Sequence, residues 1–330
     1  MHKWYFSASI VMCSLCFAQK LTAQAKSSGT DTLPGTRDTT LHNSDSLMKK
    51  SITPATDSTP PARSHLQLNL VYESNDVYLG RTDSTALPLL TPEISYIFKS
   101  GFEIDFSVGI NMASPSPQIN SYTLAVLYSF NPGNYSGSAT LSGFKYSSGS
   151  GSPNAAQKGS LEYDNSYDFG FIEPSLSLTW TFATHPDYQI SFALAHEFDF
   201  LKNGNLNITP TATMNASTQN VYNSYYQNKR FSIPRHGKPP LPANVTISGE
   251  VLNADQFQIM DYEISAPVNF VTGKWTFNFS PTYALPVNPP DIKLTTKINN
   301  QTFYTTYKQS LPNTFYYQVG ITYTFSSRKS

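Results

Sequence analysis

The sequence predicts an all-β fold, an antiparallel transmembrane barrel, on three observations. From His65 almost to the C-terminus apolar and polar residues alternate with a period of two, the mark of strands with unlike faces. Aromatic residues make up 14% of the chain, whereas Asp, Glu, Lys and Arg together make up only 13%, about half the usual share for a soluble domain. Beyond the N-terminal segment no stretch approaches the ~18 apolar residues of a membrane-spanning helix, so lipid contact falls to the strands. A secreted soluble β-sandwich is the alternative, since its strands also alternate. Against it, the polar face here carries Ser, Thr, Asn and Gln rather than Lys and Glu.

Residues 1–25 read as a signal peptide, with Lys3 as the positive region, Trp4 to Ala18 as the apolar region and Ala23-Gln24-Ala25 as a cleavage site. Cleavage after Ala18 is the competing choice. Both cysteines, Cys13 and Cys16, fall inside this segment, which leaves an exported mature chain without disulfides. Residues 26–65, rich in Ser, Thr, Asp and Pro, hold too little apolar surface for a core and read as a disordered periplasmic tether. The barrel is expected over residues 66–325, followed by a tail at 326–330. Lys plus Arg and Asp plus Glu each number 22, so no basic surplus points to nucleic acid.

The strands follow in order. The first presents Leu66, Leu68, Leu70 and Tyr72 on one face, the second Ile94, Tyr96 and Phe98. The third shows Phe102, Ile104, Phe106, Val108 and Ile110, and the fourth Tyr122, Leu124, Val126, Tyr128 and Phe130. A fifth, near Tyr135 to Tyr146, is Gly-rich. The sixth carries Ile172, Leu176, Leu178, Trp180 and Phe182, the seventh Ile190, Phe192, Leu194, Phe198 and Phe200, and the eighth Leu206, Ile208, Ala212 and Met214. Prolines 234, 239, 240 and 242 interrupt residues 215–256, within which a rising strand is placed near Asn244 to Leu252. Two more strands follow around Met260 to Phe270 and Trp275 to Leu285, then a polar loop from Pro286 to Asn313, then a final strand from Phe315 to Phe325. The short joins at 99–101, 131–134, 183–187 and 271–273 are assigned to the periplasmic end. That sidedness demands an even count: twelve with all these strands, or ten if the eighth belongs to a long external loop.

The last strand carries a more specific pattern. Gln318-Val319-Gly320-Ile321-Thr322-Tyr323-Thr324-Phe325 resembles the C-terminal assembly signal of bacterial outer-membrane β-barrel proteins, in which a polar residue, a glycine, an apolar residue and a final aromatic are the specified places. Gln318, Gly320, Tyr323 and Phe325 fill them. The resemblance implies residence in the outer membrane of a Gram-negative bacterium, recognition by the barrel-assembly machinery, and contact with outer-membrane lipid and lipopolysaccharide. It identifies no subfamily with a known substrate.

If the aromatic face meets lipid, the opposite parity sends Glu73, Glu93, Glu103, Asp105, Glu173, Glu197, Asp199, Asp261 and Glu263 into the lumen, where basic residues are scarce. Such a lumen focuses a negative potential and favours a small polar or cationic solute. The competing reading is that the carboxylates only accept hydrogen bonds inside a closed barrel. An outer-membrane hydrolase acting on lipid or peptide is the enzymatic alternative. Its candidate group is His196-Glu197-Phe198-Asp199, but strand alternation sends His196 to the face opposite Glu197 and Asp199. No catalytic residue, metal ligand or cofactor site is therefore expected. The run from Ser147 to Ser152 reads as a mobile surface loop, and His236, with Arg235 and Lys238, as a solvated loop, with contact to lipopolysaccharide phosphates as the alternative.

Overall fold

A computed structural model describes residues 64–82, 86–113, 117–148, 150–201, 204–228, 244–299 and 301–325. The signal peptide, residues 26–63 of the tether, the tail and the Arg235 to Lys238 group lie outside these described residues. Seven strands pair antiparallel in chain order: β1 (His65–Glu73), β2 (Leu89–Ile97), β3 (Phe102–Asn111), β4 (Gln118–Phe130), β5 (Tyr135–Tyr146), β6 (Gly159–Tyr167) and β7 (Glu173–Phe182). Next come β8 (Asp187–Ala195), β9 (Phe198–Asp199), β10 (Leu206–Ile208), β11 (Thr211–Ser217), the helix α1 (Asn220–Asn228), β12 (Val245–Val251), β13 (Gln258–Ser265) and β14 (Val268–Thr272). The chain ends with β15 (Trp275–Pro286), β16 (Asp291–Ile298), β17 (Gln301–Lys308) and β18 (Thr314–Phe325).

Three staves of the barrel are each made of two short strands. β11 pairs with β8 and β10 with β9 in one unbroken register, Thr211 opposite Ala195 and Ile208 opposite Phe198. β13 and β14 likewise run along β15 without a shift. Pro210 and Pro267 occupy two of the interruptions, where proline has no N–H to give the ladder. β18 pairs with β15 on one side and with β1 on the other, Leu66 opposite Phe325, which closes a barrel of twelve staves. Closure leaves no open edge, as a bilayer demands of a sheet. It also excludes the two-sheet sandwich.

The side-chain parity follows the alternation. Leu68, Leu70, Ile104, Phe106, Leu124, Val126, Phe192, Leu194, Phe277 and Ile321 all point outward and are exposed, forming a continuous apolar belt. A soluble monomer rarely exposes a contiguous apolar patch beyond a few hundred Å². Inward stand Gln67, Asn69, Ser95, Thr123, Ser191, Asn215 and Thr322, all buried.

The count of twelve agrees with expectation, but one stave was missed and one expected stave lies outside the barrel. β6 was missed: its outward positions are Gly159, Leu161, Tyr163, Asn165 and Tyr167, too mixed to read as an apolar face. Asn244 to Leu252 does contain a strand, β12, yet it pairs with β16, which in turn pairs with β17, in a separate three-stranded sheet. The segment expected to be a polar loop from Pro286 to Asn313 supplies the other two strands of that sheet. Inserting β6 reverses the direction of β7, so the 183–187 join lies at the opposite end of the barrel from the joins at 99–101, 131–134 and 271–273 with which the sequence grouped it. The joins at 98–101, 131–134, 168–172 and 273–274 share the end where β1 begins and β18 finishes.

Candidate functional site

The inward face of the staves is short and polar. Twelve staves line it, and inward side chains such as Gln67, Ser95, Ser191 and Asn215 are buried. Glu103 and Asp105 on β3, Glu173 on β7, and Asp261 and Glu263 on β13 all point inward and are buried. Glu197 lies half-buried in the short interruption after β8, and Asp199 is exposed at the rim near the turn into β10. The missed β6 adds Glu162 and Asp164 to the same face. Among the described residues no Lys or Arg lies on the inward face of a stave.

These carboxylates sit among donors. Glu93 accepts from Asn69 Nδ2 at 2.8 Å and from Ser95 Oγ at 3.1 Å. Asp164 accepts from Ser138 Oγ at 3.2 Å, and Glu263 from the Tyr316 hydroxyl at 2.7 Å. His196 packs edge-on against Phe198, ring centroids 4.5 Å apart, on the outward face. The alternation therefore keeps it from converging with Glu197 and Asp199 on a lumenal substrate.

At the end of the barrel where β1 finishes and β18 begins, connecting segments fold together into a cap, which the sequence reading did not foresee. Residues 220–228 form α1, whose Val221, Tyr222, Tyr225 and Tyr226 are fully buried. They pack with Tyr78, Leu79, Val251, Met260 and Ile292 into an apolar core. Asp187 holds the start of the helix: it accepts from the backbone N–H of Asn220 at 2.6 Å and of Val221 at 2.9 Å, from Thr218 Oγ1 at 2.6 Å and from the Tyr78 hydroxyl at 2.9 Å. A carboxylate there satisfies free N–H groups and favours the positive end of the helix dipole. The Gly/Ser-rich loop also turns inward rather than outward. Ser150, Ser152 and Asn154 are buried, Ser150 donates to Asn120 Oδ1 at 2.7 Å, and Asn154 donates to Asp76 Oδ1 at 3.1 Å.

The β1–β2 connection supplies the tip of this cap. Tyr78 and Arg81 bridge across a two-residue turn with φ of +50° at Leu79 and +70° at Gly80, a mirror-image turn that ordinarily takes Asn-Gly. Leu79 adopts the left-handed conformation at a cost of about 1–2 kcal/mol, which its complete burial offsets. A Cβ on Gly80 would stand 2.6 Å from Asp261 Oδ2, so the turn presses its backbone onto that carboxylate. Arg81 is 1% exposed. It donates to Gln219 Oε1, to the Asn288 carbonyl at 3.4 Å and to Met260 Sδ at 3.8 Å, and its guanidinium lies 5.3 Å from the centre of the Tyr222 ring. Burial pulls its pKa below the usual arginine value, although Tyr222, Tyr78 and Asp261 oppose that shift.

The assembly-signal residues all lie on β18, the strand that closes against β1. Gln318 and Gly320 face inward, whereas Tyr323 and Phe325 face outward with ring centroids 4.7 Å apart. Trp275 packs 4.7 Å from Tyr323, part of the aromatic rim at this end.

A closed antiparallel barrel with an apolar outer belt and a polar interior is a transmembrane barrel of the outer-membrane type. No family model and no curated protein matches this sequence. Among solved structures, the chain is similar to the KdgM porin at 10% identity and a TM-score of 0.42, over 79% of this chain and 99% of that one. It is also similar to LpxR from Salmonella typhimurium, at 10% identity and a TM-score of 0.37 over 78% and 99%. A Salmonella typhi OmpF complex with Daunomycin aligns at 8% identity and a TM-score of 0.30 over 79% and 97%. Likeness at this level says nothing of function.

Proposed function

We propose that this protein is a non-enzymatic outer-membrane barrel whose acid-lined lumen admits or binds small cationic or polar solutes. The observation that carries the reading is the one-sided charge of the interior: carboxylates on β3, β6, β7 and β13, and no Lys or Arg on the inward face among the described residues. A low-dielectric wall with fixed charge of one sign concentrates counter-ions and repels co-ions. The apolar outer belt would meet outer-membrane lipid and lipopolysaccharide, and the β18 pattern would be read by the barrel-assembly machinery.

The test is the reversal potential of channel openings in planar bilayers across a KCl gradient. Selectivity for K⁺ is expected, reduced by the double substitution Glu103→Gln with Asp105→Asn. Anion-selective openings of the unaltered protein would overturn the reading.

A further inference from the structure

The top of the acidic lumen and the cap meet at Arg81. Its surroundings are those of a cation receptor: the oxygen of Gln219, the carbonyl of Asn288, the thioether of Met260 and the face of Tyr222, with the Asp261 carboxylate under the same turn. Neutral oxygens and an aromatic face, desolvated together, are what hold guanidinium groups elsewhere. The occupant comes from the chain itself, on a turn with two consecutive positive φ angles and one backbone bridge. The fit is incomplete, because Arg81 Nε is buried without an acceptor.

We propose that this is a cation site plugged by the protein's own Arg81, and that small guanidinium compounds compete for it. While Arg81 fills the site, the β1–β2 turn, α1 and the inward 147–158 loop keep the loop end of the lumen closed. When a guanidinium compound takes the site instead, the turn loses the charge-assisted contacts that hold it to Gln219 and Tyr222. The solute admitted by such a plug is a guanidinium compound, which deepens the acid-lumen reading and rests on it.

The experiment compares wild type, Arg81→Lys and Arg81→Ala in planar bilayers, each first shown to be folded by heat-modifiable migration. Losing a charge-assisted hydrogen bond to a buried partner predicts that Arg81→Ala opens at least about tenfold more often. Arg81→Lys should fall between the two, because an ammonium keeps the charge without the planar fork. Methylguanidinium added on the loop side should open wild type, whereas tetramethylammonium, which has no N–H, should not. If Arg81→Ala fails to fold, Gln219→Leu removes the acceptor from the other side of the contact and should open the barrel in the same way.

A folded Arg81→Ala or Gln219→Leu as closed as wild type overturns the proposal. So does equal opening by tetramethylammonium, which would show that the site has no preference for a guanidinium group. Methylguanidinium-induced openings of wild type that are anion-selective would instead retain the plug and remove the acid-lumen reading.

Discussion

Substituting Leu124 by Arg separates a barrel in lipid from one in water. Leu124 is the seventh of thirteen residues in β4, points outward at 56% exposure, and stands opposite Phe106 on β3 and Gly143 on β5. Thirteen residues at about 3.3 Å each, tilted by about 40°, span roughly 33 Å, so Leu124 sits near the middle of the apolar belt. An arginine at the midplane of an outer-membrane barrel costs about 2–4 kcal/mol. The same change on a surface facing water costs at most about 0.5 kcal/mol. With an m-value near 2 kcal/mol/M, the midpoint of urea unfolding in phospholipid vesicles should fall by about 1–2 M. Emission from the outward Trp180 and Trp275 reports the transition. An unchanged midpoint, or a folded Leu124→Arg in plain buffer, would refute the membrane-spanning assignment.

Gly80→Ala should loosen the cap by about 1–3 kcal/mol, because φ is +70° and the new Cβ would lie 2.6 Å from Asp261 Oδ2; faster hydrogen exchange in 77–82 with unchanged β3 and β4 checks this. Asp187→Ala leaves four donors without their acceptor and should cost about 2–3 kcal/mol locally, read as lost protection of the Asn220 and Val221 amides; retained protection would show that the carboxylate is not what holds α1. Phe325→Ala should lower the assembled fraction in cells while leaving refolding into detergent nearly unchanged. Equal loss in both settings would make Phe325 a packing residue rather than part of a recognition signal.

The staves were legible wherever the outward face is apolar without a break, as in β3, β4 and β18, because a strand in a membrane barrel must alternate to satisfy lipid and lumen together. That rule also placed Glu103, Asp105, Glu173, Asp261 and Glu263 inward and His196 outward. β6 and β12 show its limit. β6 closes the barrel with Gly159 and Asn165 on its outward face, while β12 alternates cleanly through Val245, Ile247 and Val251 yet belongs to the separate sheet.

Period-two patterning is a local property, and it was enough to determine the barrel class and the even strand count. Which strands join the barrel is decided by pairing, which no single strand encodes. The cap is further from local reading, because its contacts join residues remote along the chain: Tyr78 to Asp187 across 109 positions, Arg81 to Gln219 across 138 and Arg81 to Asn288 across 207. The Gly/Ser-rich run has the composition of a solvated loop, and a lone arginine in a connection that of a surface residue. Only the folded chain, by excluding water from both, makes one an inward wall and the other the occupant of a cation site.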